Sequence, residues 1–441
     1  MIRMWNNVIF SKGPDERNVD MNFNEALEYI NGTQWYGSKP GLERVTELLE
    51  KLGRPDKSLK YVHVAGTNGK GSCASMLANI LKCCGYKTGL FTSPYLFRFT
   101  ERMKINGEEI DNDVLAKLVE KIKPLADSME DHPTEFELMT AAALLWYAEE
   151  NCDVVVLEVG MGGRFDATNI IEKPELSIIM NIGLDHTGVL GDTVEKIAFE
   201  KAGIIKPGCP CVLYNQEENV EKVIENCCAE RNSKLFKADF SLIEPEFDSF
   251  EGQVFSYKGD AYAISLLGSH QLKNAAVVAE AVKALREMGW ELDQDDVEHG
   301  FYSAQWPARF ELVCQEPQVI VDGGHNPQCA LTVRDNLLHY FPEKRRVVLL
   351  GVLGDKDYKE LIGILNQSAD EYVCVSPNSD RALGAEALKA EIESSGKSAV
   401  AADSIKEGIA LAIEKAGDDG MVCAVGSLYM AGDVRAYFDL F

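Results

Sequence analysis

Short apolar runs alternate with stretches of helical periodicity along most of the chain. Strand-like runs in the first half lie at 61–65, 87–92, 153–160, 176–183 and 210–214. Helical patterns lie at 73–84, 134–150, 192–202, 218–231 and 271–288. Strands separated by amphipathic helices favour parallel sheets built from β-α-β units. The pattern therefore predicts an α/β fold.

This alternation is interrupted in three places. A helical pattern over 22–53 is divided by a Gly-Ser-Lys-Pro-Gly loop at 37–41, a hairpin pattern spans Val254–Leu267, and Trp306-Pro-Ala-Arg-Phe310 resembles a linker. Beyond the linker, strand runs recur at 319–322, 347–352, 372–376 and 422–426, with a weaker one at 399–401. We expect two α/β domains, residues 1–305 and a smaller unit at 306–441, each with its own sheet.

A glycine-rich turn joins the first strand to the following helix, in Tyr61-Val-His-Val-Ala-Gly-Thr-Asn-Gly-Lys-Gly-Ser72. Glycines let the backbone curl so that several N–H groups face one anion at the positive end of the helix. Lys70 would place a charge on the β- and γ-phosphates of a nucleotide, and Ser72 a hydroxyl on Mg²⁺. In the strict Walker pattern Ser or Thr follows the lysine directly, whereas here Gly71 intervenes, so an ordinary glycine-rich turn stays an alternative.

The composition narrows the classes of molecule that this protein is expected to bind. Seventy acidic and 44 basic residues give a net charge of −26, and such a surface repels nucleic acid and anionic lipid. No apolar run approaches the roughly 20 residues that span a bilayer. The N-terminal residues lack a long apolar region with a small-residue cleavage site, so we expect no export. The 12 cysteines form no Cys-x-x-Cys pair, which indicates reduced thiols in a cytoplasmic protein. We expect helix packing, in preference to soft-metal binding, for the adjacent pairs Cys83-Cys84 and Cys227-Cys228.

Several polar residues end apolar strands, where open α/β sheets bind ligands. Glu158 ends one strand as the metal-side acid of a P-loop site would, and a buried ion pair with Arg164 is the alternative. Asp185-His186 ends the next strand. Lys201, taken alone, would be interpreted as a solvated surface lysine.

The second domain repeats this arrangement in Asp322-Gly-Gly-His-Asn-Pro327, where a strand end and glycines precede a helix. Asn326 and Pro327 suit the N-cap and first position of that helix. Helix capping does not explain Asp322 and His325. Arg309 in the linker is interpreted either as an inter-domain ion pair or as a phosphate clamp.

Taken together, these segments resemble the folylpolyglutamate synthase and dihydrofolate synthase family of Mur-type ATP-dependent amide ligases. The resemblance extends over nearly the whole chain and rests on Gly41–Arg44, Val64–Ser72, Ser93–Leu96, Phe136-Glu137, Leu157–Asn169, Leu184–Thr187, Glu200–Gly203, His270–Ala275, Arg309, Asp322–Pro327, Asp355–Asp357 and Gly426–Tyr429. The departures are few: Tyr95 stands where the family usually has His, Cys73 for Thr, Ala308 for Gly and Gly324 for Ala. Tyr95 bears most directly on pterin preference.

The resemblance implies a P-loop-containing, Mur-ligase-like ATPase domain followed by a Rossmann-like C-terminal domain. It implies ATP contacts from Gly66, Thr67, Asn68, Gly69, Lys70, Gly71, Ser72, Asn274, Arg309 and Asp322. It implies one Mg²⁺ on Ser72 and Glu158, and a second on Glu158, His186 and a carbamylated Lys201. Catalytic roles would fall to Lys70, Lys201, His186, Arg309 and His325. The substrate would contact Ser93, Pro94, Tyr95, Phe136, Glu137, Arg164 and Asp166, with 93–102 as a loop over the pterin.

The implied activity is addition of L-glutamate to the carboxylate of reduced folates through an acyl phosphate, with release of ADP and phosphate. Whether dihydropteroate is also accepted stays open, and we expect a monomer. One rival is a muramyl-peptide ligase, which carries a UDP-sugar domain before the P-loop, where about 60 residues stand here. The other is a P-loop switch or transport NTPase, which would leave the second domain without a role.

Overall fold

The computed structural model describes residues 21–33 and 41–440. The predicted loop at 37–41 lies outside the described residues except for Gly41. Within the described ranges no helix is both long and apolar enough to cross a membrane.

The larger domain is built on an eight-stranded sheet with the strand order β4-β3-β2-β5-β1-β6-β7-β8. Its strands are β1 (Tyr61–Ala65), β2 (Thr88–Phe91), β3 (Met103–Ile105), β4 (Glu108–Glu109), β5 (Val154–Glu158), β6 (Leu176–Ile179), β7 (Cys211–Leu213) and β8 (Leu235–Lys237). All neighbours pair in parallel except at the β2–β3–β4 edge. Both β1 and β5 are buried along their whole length, as expected for central strands covered on both faces.

Ten helices accompany this sheet in the described residues. They are α1 (Phe23–Asn31), α2 (Glu43–Lys51), α3 (Lys70–Cys83), α4 (Asn112–Asp127), α5 (Glu135–Glu149), α6 (Thr187–Leu190), α7 (Val194–Lys201), α8 (Glu218–Glu230), α9 (Ser269–Glu287) and α10 (Gln294–Tyr302). Helices α3 and α9 pack in one apolar core on the sheet, and α4 and α5 pack in another. The two cores cover opposite faces, so the polar strand ends are left at the sheet's carboxyl edge.

A small antiparallel sheet of β9 (Ile243–Ser249), β10 (Gly252–Tyr257) and β11 (Asp260–Ile264) precedes α9. The predicted hairpin corresponds to β10 and β11, and it is confirmed. Strand β9 was not predicted, because its side chains are mostly exposed and the segment lacks an apolar pattern.

The second domain is a six-stranded sheet with the order β12-β13-β17-β14-β15-β16. Its strands are β12 (Glu311–Gln315), β13 (Gln318–Val321), β14 (Arg346–Leu350), β15 (Glu371–Cys374), β16 (Ser398–Ala401) and β17 (Met421–Val425). Its helices are α11 (Pro327–Tyr340), α12 (Tyr358–Leu365), α13 (Ala385–Ser394), α14 (Ile405–Ala416) and α15 (Leu428–Tyr437). The predicted α/β architecture with a second, smaller α/β unit is confirmed, and the boundary at 305/306 stays a prediction.

The elements missed by the sequence pattern are short strands at or near sheet edges, the exposed helix α10, and α4, which was not predicted although six of its residues are buried. Strands β3, β4, β8 and β12 have few buried side chains, so their apolar periodicity is weak. Helix α10 has only three buried residues. All 12 cysteines are free, and Cys83-Cys84 and Cys227-Cys228 lie on or at the ends of helices.

Candidate active site

The glycine-rich turn lies between β1 and α3, as predicted, and its glycines are sterically required. A Cβ on Gly66 would lie 2.6 Å from Met180 Cβ, and one on Gly71 would lie 2.6 Å from the Trp306 ring. Gly69 has φ +84°, a conformation that side chains disfavour. The loop is held to the end of β6, where the Thr67 amide donates to Asn181 O at 2.7 Å.

Lys70 and Glu158 face each other beside this turn. Lys70 Nζ donates to the carbonyls of Gly66 and Thr67 at 3.2 and 3.3 Å and lies 4.0 Å from Glu158 Oε1. Burial raises the pKa of Glu158, and Lys70 opposes the shift. The alternative of a Glu158–Arg164 pair is wrong, because Arg164 lies 4.0 Å from Glu200 instead.

Helix α9 supplies amide side chains to the first turn of α3. Gln271 Nε2 donates to Ser72 Oγ at 3.3 Å, and Asn274 Nδ2 donates to Gln271 Oε1 at 3.0 Å. The Asn274 amide also lies 2.7 Å from where a Gly69 Cβ would stand. The structure therefore brings Asn274 to the turn, and the ATP contact that the resemblance implies for it stays a prediction.

Lys201 ends α7 and is buried, with 4% of its surface exposed. Its Nζ donates to Gly66 O at 2.8 Å. Burial, reinforced by the nearby charge of Lys70, lowers the pKa of Lys201 to about 7. The interpretation of Lys201 as a solvated surface lysine is therefore wrong. A single lysine in the sequence gives no indication that it contacts the P-loop. That contact results from the packing of α7, which only the tertiary structure shows.

Asp185 and His186 lie in the loop after β6. Asp185 Oδ1 accepts from Lys356 Nζ of the second domain at 2.8 Å, and this bond lowers the pKa of Asp185 to about 2 although burial opposes it. Burial lowers the pKa of His186, and the charges of Lys70 and Lys201 act in the same direction. His186 thus lies among the same charged groups as the P-loop.

The second domain brings Asp322, His325 and Arg309 near these groups: the charge of Asp185 acts on His325, and that of Arg309 acts on Glu158. Asp322 ends β13 and accepts from the Phe310 and Gly324 amides at 2.9 and 2.7 Å. Burial lowers the pKa of His325 to about 4. Burial raises the pKa of Asp322, as it does that of Glu158, and Arg309 opposes both shifts. Arg309 therefore acts on acids of both domains.

A cavity of about 760 Å³ lies between the two domains beside these groups. Its lining includes the predicted residues Ser93, Pro94, Phe136, Glu137, Asp166, His186 and His325. Two predicted substrate residues do not line it, namely Arg164 and Tyr95. The Tyr95 ring borders a second cavity of about 410 Å³ on the other side of the 93–98 loop. The Arg102 guanidinium lies 4.9 Å from the centroid of the Tyr95 ring.

Two predicted substrate residues also hold the cavity wall together. Glu137 Oε2 accepts from Arg44 Nε at 2.9 Å and from the Thr134 amide at 2.8 Å, which caps α5. Asp166 Oδ2 accepts from the Met161 amide at 2.8 Å, so it shapes the 160–166 loop.

Sequence reasoning missed several residues of the cavity. Lys356, Arg381, Ser427 and Tyr429 line it from the second domain, and Arg44 from the first. Arg102, the last residue of the predicted 93–102 loop, lines it as well. The family resemblance includes the segments Gly41–Arg44, Asp355–Asp357 and Gly426–Tyr429, but it implies no role for their cavity-lining residues. Lys356 and Tyr429 lie far from the P-loop along the chain, so no local sequence pattern connects them with it.

Comparisons with known proteins agree with this fold. Residues 64–282 match the Mur ligase middle domain, and residues 308–428 match the Mur ligase glutamate ligase domain. The chain is 37% identical to dihydrofolate synthase/folylpolyglutamate synthase of Bacillus subtilis, over 94% of this chain and 98% of that protein. It is 32% identical to the Escherichia coli protein of the same name, over 94% of each.

Solved structures are similar over the same length. Folylpolyglutamate synthase of Mycobacterium tuberculosis complexed with ADP and AMPPCP superposes with a TM-score of 0.87 at 30% identity, covering 94% of this chain and 98% of that one. E. coli FolC in complex with DHPP and ADP superposes with a TM-score of 0.84 at 30% identity, covering 95% and 98%.

Proposed function

This chain belongs to the Mur ligase family of folylpolyglutamate and dihydrofolate synthases, and on that premise we propose how its site performs their reaction. The enzyme is an ATP-dependent ligase that joins L-glutamate to folates. The observation that carries the proposal is the single cleft in which the P-loop, Glu158, Lys201 and the second domain's His325 meet beside a cavity of about 760 Å³.

A carboxylate and an amine do not condense in water, so ATP first converts the folate carboxylate to an acyl phosphate. Two anions must approach each other at the γ-phosphate, and preorganised positive groups lower that barrier. Lys70 is within 4.0 Å of Glu158 and carries this charge. Arg309 supplies a second cation from the linker. The amine of L-glutamate then attacks the acyl carbon, and phosphate leaves.

The donor set at the P-loop fits Mg²⁺. Ser72 Oγ and the Glu158 carboxylate are oxygen donors beside the place for phosphates, and Mg²⁺ sites that use substrate phosphates need only one or two protein ligands. Glu158 is buried with a cation 4.0 Å away, so the site can compensate its charge. When bound, Mg²⁺ would neutralise phosphate charge. His186 and Lys201 would serve a second ion.

Lys201 suits the carbamate that its family resemblance implies. Carbamate formation consumes a neutral amine and CO₂ and releases one proton, and burial already shifts Lys201 toward the neutral amine, with a pKa of about 7. The product is an anionic oxygen donor, which Mg²⁺ prefers to nitrogen. The charge at this position changes from +1 to −1.

The cavity has an aromatic wall and a basic wall. The Phe136 ring lies against Gly160 and packs edge-on to Phe91, in the larger domain. Lys356 and Arg381 line the cavity from the second domain. We assign the pterin ring to the aromatic wall, because flat rings pack against aromatic side chains. We assign the carboxylates of L-glutamate to the basic wall, because carboxylates bind cationic side chains.

The test is ADP release by the purified enzyme with ATP and Mg²⁺. We expect release only when a reduced folate and L-glutamate are both present, with one ADP for each amide bond. Replacing the folate by dihydropteroate in a parallel reaction decides whether this chain also has dihydrofolate synthase activity. Equal ADP release without either co-substrate would favour a P-loop NTPase instead.

A further inference from the structure

The side chain of Asn68, in the phosphate-binding loop, bonds to the second domain. Its Nδ2 donates to Gln328 Oε1 at 2.8 Å. Its Oδ1 accepts from Asn326 Nδ2 at 3.0 Å and from Cys329 Sγ at 3.3 Å. These partners form the N-cap and first turn of α11. A helix of the other domain therefore bonds to both the nitrogen and the oxygen of the Asn68 side-chain amide.

The partners of Asn68 are themselves oriented. Asn326 is buried and its Oδ1 accepts from the Cys329 amide at 2.9 Å, which leaves Nδ2 to face Asn68. Burial raises the pKa of Cys329 to about 11, so the thiol stays protonated and can donate. The three bonds are therefore mutually compatible in donor and acceptor roles.

Gln328 also contacts the loop that follows β6. A Cβ on Gly183 would fall 2.3 Å from Gln328 Oε1. Gly183 in turn exchanges two bonds of 3.1 Å with Thr67 Oγ1. The phosphate-binding loop, the loop before His186 and α11 thus form one connected polar network.

We propose that Asn68 is a positioning residue that makes the reactive arrangement of the phosphate-binding loop depend on docking of the second domain. Bonds within the larger domain hold the loop backbone at Gly66 and Thr67, but the restraint on the Asn68 side chain comes from α11. The three bonds to α11 supply that restraint only while the domains are docked. Phosphoryl transfer depends on positioning, so it is efficient only in the docked state.

Docking of the second domain also brings Lys356 and Arg381 to the cavity, where we placed L-glutamate. A loop in which Asn68 is positioned only by docking couples acyl phosphate formation to the state that holds the amine. This coupling protects the acyl phosphate from water. The inference rests on the proposed function in one respect, that ATP binds at this loop.

The test uses Gln328→Met, which keeps the length of the side chain against Gly183 but offers Asn68 only a weak thioether acceptor in place of the amide oxygen. We expect kcat for ligation to fall about tenfold, while the Kd of a non-hydrolysable ATP analogue changes by less than threefold. Leu331→Ala, at an exposed position on the same helix, is the control and should leave both values unchanged. Gln328→Asn, shorter by one methylene, gives a second variant with the same expected loss.

A double-mutant cycle separates this role from simple destabilisation. If Asn68 and Gln328 act through their shared bond, Asn68→Ala combined with Gln328→Met should lower kcat no further than the worse single variant. Losses that multiply, or a kcat for Gln328→Met equal to wild type, would overturn the inference. A wild-type enzyme that binds the ATP analogue but does not ligate glutamate would contradict the proposed function instead.

Discussion

Two lysine side chains beside the P-loop place their positive charges next to the same carbonyl group. Lys70 Nζ and Lys201 Nζ both donate to Gly66 O, at 3.2 and 2.8 Å. Two ammonium groups so close repel each other, which agrees with the low pKa of Lys201. Binding of phosphate oxygens, or conversion of Lys201 to an anion, would relieve this repulsion. The site is therefore electrostatically prepared for its anionic substrates.

Replacing Lys70 by Ala should abolish most ligation while leaving the fold intact. Loss of a charge-assisted phosphate contact in a water-poor site costs about 3 kcal/mol of transition-state stabilisation, roughly 100-fold in kcat/KM. Steady-state kinetics and a melting curve measure the two effects. Lys82→Ala, on the exposed face of the same helix, is the matched control and should stay active. Near-normal turnover of Lys70→Ala would refute the assignment.

Lys201→Ala should lose most activity, because it removes the carbamate oxygens. Acetate or formate should restore part of it by placing a carboxylate in the vacated space. The wild-type enzyme should lose activity in CO₂-stripped buffer and regain it on addition of bicarbonate. Lys196→Ala, an exposed lysine on the same helix, serves as the control. Full activity of Lys201→Ala would exclude a carbamate role.

At the scale of elements, the 160–166 loop and α7 lie so close that side chains would not fit between them. A Cβ on Gly203 would fall 2.4 Å from Arg164 Cα, and one on Gly163 would fall 2.9 Å from Glu200 O. The Arg164 amide donates to Glu200 O at 2.8 Å across this contact. The contact fixes the end of α7 and so determines where Lys201 lies.

Gly203→Ala should therefore destabilise the enzyme and displace Lys201. Overpacking against backbone costs about 1–3 kcal/mol of the free energy of unfolding. Gly363→Ala is the matched control: this glycine lies in α12 with open space around its Cβ position, so it should gain up to about 1 kcal/mol. Chemical denaturation measures both. Equal stability of the two variants would contradict the role of the close contact.

At the scale of the whole molecule, two of the polar contacts between the domains lie next to the P-loop and next to His186. One is the network of Asn68 with α11, and the other is the Asp185–Lys356 ion pair of 2.8 Å. Each side chain of the pair is 15% exposed, so solvent screens it less than a surface pair. Docking of the domains is thus tied to residues adjacent to the P-loop and to His186.

Asp185→Asn should lower the free energy of unfolding by about 2 kcal/mol at neutral pH. The folded pKa of about 2 lies below the ordinary value of 3.8, so the stabilisation is present above pH 4 and lost as the pH falls toward 2. The difference between Asp185→Asn and wild type should consequently be the same at pH 5 and pH 8. Denaturation at both pH values checks this. If the difference in the free energy of unfolding between variant and wild type were present at one pH and absent at the other, the assigned Asp185–Lys356 pair would be contradicted.

The sequence alone determined the features that depend on neighbours along the chain. Glycines at 66, 69 and 71 and the strand before them specify the P-loop, because turn chemistry and helix capping act over a few residues. Asn326 and Pro327 were correctly predicted as the start of α11, since Asn326 caps it and Pro327 occupies its first position. Buried central strands were predicted from their apolar runs, whereas the exposed edge strand β9 was not.

Only the tertiary structure decided the features that depend on which distant elements meet. Lys201 is buried because α7 packs against the P-loop, and Tyr95 borders the smaller cavity because its ring lies on the other side of the 93–98 loop. The bonds of Asn68 join residues about 260 positions apart. Burial and pKa depend on every group within a few ångströms, and no local pattern records which groups those are. The sequence thus determined which chemistry this protein can perform, and the packing of its two domains determined which side chains take part.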